Sequence, residues 1–162
     1  MSRSRFASSL FLISALTALI LGLMPLPGWL AAFKPFWLAL VLAYWVLEAP
    51  EHVGLGVAFV LGVAADLIFG TLLGEYALRL VVLSFIVQRF RPRLRFFPIG
   101  QQSLAVFALL LNDRIVAAAI RVFLGEGLPP LAFWYSPISG LLLWPFLVIF
   151  MELARQRGRR LP

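Results

Sequence analysis

Few residues in this sequence could carry out catalysis or bind a metal. Its 162 residues include seven acidic side chains, a single histidine, His52, and no cysteine. Without cysteine the chain cannot form a disulfide, a thiolate zinc site or a cysteine nucleophile, and one histidine is too few for a histidine-based metal cluster. Motifs of phosphate-binding loops, zinc proteases and serine hydrolases are also missing. We therefore expect a protein that is not an enzyme and that uses no cofactor.

The charged residues of most interest lie inside apolar segments. Asp66 is close to the end of one such segment and Arg79 is close to the start of the next, with a short connection between them. A hairpin of two helices would bring both charges to the same depth. Because an isolated charge at membrane depth is costly, the spacing predicts an Asp66–Arg79 ion pair. Alternatively, both residues line an outward-facing polar pocket or a partner-binding seam.

A later apolar segment carries Asp113, Arg114 and Arg121. Asp113 and Arg114 are adjacent, so they lie about 100° apart around a helix and need separate partners. Arg114 and Arg121 are seven residues apart and share a helix face. This basic stripe could receive a carboxylate or phosphate from a partner or lipid, or it could pair with acids of neighbouring helices such as Asp66.

Small residues recur at every fourth position before Asp66, at Gly54, Ala58 and Gly62. This spacing places them on one face of a helix. Within lipid, small residues allow two helices to approach closely and pack by van der Waals contact. The pattern predicts that this face is a helix-packing seam.

The elements that must position these residues are membrane helices. The chain is 62% hydrophobic and 13% charged, which excludes an ordinary soluble domain and a disordered chain. Taking about 20 residues as the length of a membrane-spanning helix, we expect one all-α membrane domain over residues 1–162 with six spans. The second span is long enough only if Lys34 snorkels to the surface. The predicted spans are 6–24, 29–47, 53–69, 76–90, 103–124 and 132–153.

The distribution of basic residues predicts the orientation. Of the 14 lysines and arginines, ten fall on one side of an alternating six-span arrangement, together with both termini, and only Lys34 falls on the other side. Basic residues accumulate on the cytoplasmic side of membrane proteins, so both termini are expected in the cytoplasm. This asymmetry accounts for the net charge of +7. Since no nucleic-acid-binding motif is present, we expect no nucleic-acid partner.

Four alternating arginines fall in one predicted cytoplasmic loop: Arg89, Arg91, Arg93 and Arg95. Pro92 lies among them and is expected to prevent a continuous helix. The loop is expected to lie in the headgroup layer and to contact anionic lipids. The alternative is that a specific cytoplasmic partner docks there.

The segment from Ala31 to Arg79 resembles the bacterial rod shape-determining protein MreD family. The matching features are an aromatic-basic-Pro-x-Trp opening (Phe33, Lys34, Pro35, Trp37), a Tyr-Trp pair (Tyr44, Trp45), Pro50, and the motif Asp-Leu-x-x-Gly-x-x-Leu-Gly (Asp66, Leu67, Gly70, Leu73, Gly74). A late Leu-Trp-Pro (Leu143, Trp144, Pro145) and the basic tail agree as well. A basic residue directly after the acid of the fifth span, as Arg114 is, departs from the family's pattern.

The resemblance implies a multi-pass protein of the bacterial inner membrane that belongs to the cell-elongation complex. Its direct partner would be MreC, and through MreC it would be linked to MreB and to the peptidoglycan synthase formed by RodA and penicillin-binding protein 2. The family is not known as an enzyme. Its helical arrangement is similar to that of the substrate-binding subunits of vitamin transporters, which keeps binding of a small lipophilic or vitamin-like ligand as the alternative.

Overall fold

The computed structural model describes residues 3–160, with side chains from residue 5 onward, so the Arg3 side chain lies outside the described residues. This part of the chain is helical and contains no strand, which confirms the expected all-α class. The α-helices are α1 (Arg3–Leu23), α2 (Gly28–Ala31), α3 (Trp37–Glu48), α4 (Leu55–Phe69), α5 (Glu75–Leu94), α6 (Ile99–Phe123) and α7 (Ser136–Arg160). A short 3-10 helix, Leu131–Tyr135, leads into α7.

Helix α3 forms the centre of a bundle. It contacts α1, α5, α6 and α7, and all its residues from Leu38 to Leu47 are buried. Its sequence, LALVLAYWVL over those positions, is apolar on every side, as expected for a helix that other helices surround. Helices α4 and α5 form one hairpin against it, and α6 and α7 form another.

The bundle has two chemically different ends. At one end, Arg155 of α7 forms an ion pair with Glu48 at the end of α3 (Nη1–Oε2 3.2 Å), and Gly158 lies against the ring of Phe6 in α1. At the other end, the hydroxyl of Ser136 donates to the carbonyl of Lys34 at 2.8 Å. We call these the arginine-rich end and the cavity end. The described parts of both termini lie at the arginine-rich end.

Within residues 3–160, three helical stretches are long and apolar enough to cross a membrane: Arg5–Leu23, Ile99–Phe123 and Leu131–Arg160. The central helix α3 has 12 residues and α4 has 15. At 1.5 Å per residue these two helices are roughly 18 and 22 Å long, which is less than the ~30 Å thickness of a bilayer core. Composition and helix length therefore establish a membrane protein, while the six-span arrangement rests on the sequence.

The predicted second span, 29–47, is not one helix. The chain forms the single turn α2 and then breaks before α3 starts at Trp37. Pro35 causes the break, because a proline disfavours helical geometry in the residue before it. The ammonium group of Lys34 donates to the backbone carbonyl of Gly22 in α1.

The expectation that Pro92 interrupts the helix is also wrong. Helix α5 continues through Pro92 to Leu94, and the amide of Arg95 donates to the carbonyl of Arg91 at 3.0 Å. A proline costs a helix one backbone hydrogen bond, and here that loss falls within the last turn. Arg89, Arg91 and Arg93 are consequently helical rather than parts of a loop.

The small-residue seam is shorter than its sequence pattern. Ala58 and Gly62 are buried, and a Cβ atom placed on Gly62 would lie only 2.2 Å from the Cα of Ala77 in α5. Gly54 precedes the helix and has open space around it, so it does not contribute to the seam. The backbones of α4 and α5 therefore touch at Gly62.

The close approach at Gly62 can be tested by adding one methyl group. Gly62→Ala should lower the free energy of unfolding by about 1–3 kcal/mol, because overpacking forces the backbone of α5 to move. Thermal unfolding of detergent-purified protein, followed by tryptophan fluorescence, measures the effect as a fall in melting temperature.

The matched control is Gly56→Ala in the same helix, where an added Cβ meets nothing within 4 Å. This change should leave stability unchanged or raise it by up to about 1 kcal/mol, since alanine favours the helix over glycine. Equal effects at both positions would contradict a backbone contact between α4 and α5.

Candidate functional site

A buried ion pair joins the two helical hairpins at the cavity end. The guanidinium of Arg79 on α5 donates twice to the carboxylate of Asp113 on α6, from Nε to Oδ1 at 2.9 Å and from Nη2 to Oδ2 at 2.7 Å. The two side chains are only 6% and 2% exposed. Arg79 also contacts the rings of Phe36 and Tyr76, and the centre of each ring is 4.7 Å from its guanidinium carbon. Two parallel hydrogen bonds hold both groups in one orientation, so this pair is a rigid part of the site.

The predicted partner of Arg79 is therefore wrong. Asp66 and Arg79 form no ion pair within the described residues. Asp66 is buried and accepts three other hydrogen bonds, from the hydroxyl of Thr71 at 2.8 Å and from the amides of Gly74 at 2.8 Å and Tyr76 at 2.9 Å.

The physical reason is that the first amides of a helix lack intrahelical partners and favour a negative charge. Helix α4 ends at Phe69, and the next residue, Gly70, has the left-handed conformation (φ 67°), which turns the chain back over the Asp66 carboxylate. The amides at the start of α5 then surround that carboxylate. Asp66 fixes the hairpin by binding these amides instead of by pairing with Arg79.

A cavity of about 540 Å³ opens beside the buried pair. It lies between the end of α1, the break before α3, the start of α5, the second half of α6 and the 3-10 helix. Its described lining includes four cations and no carboxylate. The lining residues are Ala18, Gly22, Gly28, Ala31, Ala32, Lys34, Pro35, Phe36, Trp37, Leu38, Phe69, Tyr76, Arg79, Arg114, Arg121, Pro130, Ala132 and Phe133.

Arg114 and Arg121 meet at this cavity, on the ring of Phe133. The guanidinium carbon of Arg114 is 4.6 Å from the ring centre, and that of Arg121 is 5.8 Å from it. Arg121 also pairs with Glu126 (Nε–Oε2 3.1 Å), but both groups are partly exposed, so this pair contributes little. Neither arginine pairs with Asp66, which was one expected outcome.

Arg114 is a cation of this lining that forms no ion pair among the described residues. Among the described side chains, no carboxylate lies within ion-pair distance (4.0 Å) of Arg114. Its sequence neighbour Asp113 is already bound to Arg79, and Lys34 is bound to a backbone carbonyl. A guanidinium presents several donors in a planar fork that matches a carboxylate or a phosphate. The cavity can therefore bind an anionic group, with apolar and aromatic surface on either side.

Sequence reasoning missed Phe36, Tyr76 and Phe133 as parts of the site. Each stands next to a connection between helices, where aromatic residues are common at a membrane surface. That signal places them at an interface but does not reveal that their rings contact arginines of α5 and α6.

The predicted basic loop lies away from the cavity. Arg91 donates from Nε to the carbonyl of Leu47 at 2.8 Å, at the arginine-rich end. Arg89, Arg93 and Arg95 are exposed there. No group of three or more side chains suited to hold a metal occurs in the described part of the chain.

The family model described as rod shape-determining protein MreD matches residues 2–154 of the chain. A curated relative, the rod shape-determining protein MreD of Haemophilus influenzae, is 36% identical over 145 residues, which cover 86% of this chain and 86% of the relative. No solved structure matches the chain significantly.

A double-mutant cycle tests the buried pair. Arg79→Met should cost about 3–5 kcal/mol of unfolding free energy, because it leaves Asp113 as an unpaired buried charge. Asp113→Leu should cost less, because the carboxylate of Glu75 remains 3.7 Å from the Arg79 guanidinium. The double variant should cost clearly less than the sum of the two. Unfolding by SDS in mixed micelles, followed by fluorescence, gives the three free energies.

The control cycle combines Arg79→Met with Asp66→Asn. Since these residues have separate partners, their effects should add within about 0.5 kcal/mol. Strong coupling of Arg79 with Asp66, together with additivity between Arg79 and Asp113, would show that the hairpin pair forms after all.

Proposed function

The chain belongs to the MreD family of rod shape-determining proteins, and on this basis we propose that it is a non-enzymatic scaffold of the bacterial cell-elongation complex. Family membership supports a role in rod-shape determination. The finer proposal is that the protein spans the inner membrane with six helices and binds MreC directly. Through MreC it would be linked to MreB and to the synthase of RodA and penicillin-binding protein 2, and so would couple cell shape to peptidoglycan synthesis.

The cavity beside Arg114 is the observation that carries the proposal. Accumulation of basic residues in the cytoplasm would place the arginine-rich end inside the cell, and the cavity would then open towards the periplasm. A membrane-anchored periplasmic protein such as MreC passes this surface where its chain leaves the membrane. We propose that its transmembrane helix and juxtamembrane segment bind at the cavity and the helix faces around it.

The chemistry of the cavity favours binding over catalysis. The described lining contains no carboxylate that could act as a base. Two of its cations are held in fixed contacts, Arg79 by Asp113 and Lys34 by a backbone carbonyl. Aromatic and small apolar side chains make up most of the remaining lining. Such a surface can bury an apolar segment of a partner while Arg114 selects an anionic group on it.

Binding of a small lipophilic or vitamin-like molecule is the second candidate. The cavity volume of about 540 Å³ lies within the range of small-molecule sites, about 300–1,000 Å³. The same apolar lining and the same free guanidinium would serve such a ligand if it carried an anionic group.

Co-purification with MreC tests the first candidate. Arg114→Gln should reduce the MreC retained on the affinity-tagged protein about tenfold or more, because a hydrogen bond to a charged group is worth about 1.5–3 kcal/mol. The control, Arg159→Gln at the arginine-rich end, removes an equal charge far from the cavity and should leave retention unchanged. Retention that Arg114→Gln leaves intact in a normally folded protein would contradict the role of the cavity.

Native mass spectrometry of the purified protein separates the two candidates. A stoichiometric small molecule that is lost in Arg114→Gln, found together with unaltered MreC retention, would favour the second candidate. Retained MreC without such a molecule would favour the scaffold.

A further inference from the structure

The continuation of α5 through Pro92 rearranges the arginines at the arginine-rich end. In a helix, residues four apart lie on the same face and residues two apart point in nearly opposite directions. Arg89 and Arg93 therefore lie side by side on one face. Arg91 points the other way, into the bundle, where it donates to the carbonyl of Leu47. An extended loop would have placed all the arginines together.

Arg89 and Arg93 have no acidic partner in the described part of the chain. The carboxylates at the same end are engaged elsewhere. Glu48 pairs with Arg155 at 3.2 Å, Glu152 lies 3.8 Å from the same arginine, and Glu51 lies 3.9 Å from His52. Both arginine side chains are exposed, so this face carries two adjacent positive charges that the fold does not neutralise.

Apolar surface leads directly to this pair. Leu78 and Phe85 lie on the same face of α5 as Arg89, because Leu78 precedes Phe85 by seven residues and Phe85 precedes Arg89 by four. Leu78 is 49% exposed and Phe85 is 58% exposed. In a membrane protein an exposed apolar face of this kind contacts acyl chains. The stripe therefore passes from a surface suited to lipid tails to two guanidinium groups near the end of α5.

A shallow surface depression on this helix face is lined by Arg89, Phe90, Pro92 and Arg93. Phe90 is 49% exposed, and Phe96 in the following turn is 83% exposed. Aromatic rings at a membrane border favour the interface between headgroups and acyl chains. Two guanidinium groups beside such rings offer paired donors to a phosphate and an apolar wall to the chain attached to it.

We propose that Arg89 and Arg93 bind the phosphate of an anionic phospholipid in the leaflet at the arginine-rich end. Phe90 and Phe96 lie beside the glycerol and the upper acyl chains of that lipid. Arg91 does not take part, because its guanidinium holds the end of α3. The continuous apolar stripe on α5 favours a lipid over an acidic protein, which would not require acyl-facing side chains next to the arginines.

Native mass spectrometry of the full chain in a neutral detergent tests this site, with dioleoylphosphatidylglycerol as the anionic probe and dioleoylphosphatidylcholine as the neutral one. The wild-type protein should retain one phosphatidylglycerol in preference to phosphatidylcholine. Arg89→Gln/Arg93→Gln should lower the affinity for this lipid at least fivefold. Arg89→Lys/Arg93→Lys should restore part of it, which shows that the positions tolerate substitution.

The matched control is Arg157→Gln/Arg159→Gln, which removes the same charge from α7 at the same end of the bundle. It should keep the preferred lipid. Equal losses in the two double variants would show general attraction to basic residues and would overturn the site. Undiminished lipid binding by Arg89→Gln/Arg93→Gln would also overturn the site. So would the finding that this variant loses the binding of a soluble acidic protein while it keeps the lipid. Retention of MreC should not change, so failure here differs from failure of the scaffold proposal.

Discussion

The buried ion pair between Arg79 and Asp113 is the constraint on which the rest of the structure depends. Within lipid, hydrophobic attraction does not hold helices together, and packing and polar contacts must do so. A guanidinium that donates two hydrogen bonds across the helix interface fixes α5 relative to α6 in distance and rotation. It thereby joins the hairpin of α4 and α5 to that of α6 and α7.

This pairing also sets the charge of the cavity. Asp113 neutralises Arg79 and cannot serve its neighbour Arg114, which lies about 100° away around the helix. Asp66 is occupied by the amides at the start of α5. Glu75 lies 3.7 Å from Arg79 as well. With these three carboxylates engaged, the cavity beside Phe133 keeps a positive charge. The buried pair thus leaves a positively charged surface in the cavity next to it.

The two ends of the bundle present positive charge in different ways. At the cavity end, Arg114 stands in a concave site among aromatic rings. At the arginine-rich end, Arg89 and Arg93 stand on an exposed helix face below an apolar stripe. The first arrangement suits an inserted segment or molecule, and the second suits a membrane surface.

The sequence alone determined the membrane class, the helical content, the approximate helix positions and the family, because composition and apolar run length are local properties. It also identified Arg114 and Arg121 as residues of one face, since helical periodicity fixes that relation. Only the tertiary structure decided that Arg79 pairs with Asp113 and that Asp66 binds the α5 amides. Depth along a hairpin does not specify how helices rotate about their axes or which neighbour lies closest. Likewise, the fold decided that α5 passes through Pro92, because packing of its buried face outweighs the one hydrogen bond that proline removes near the helix end.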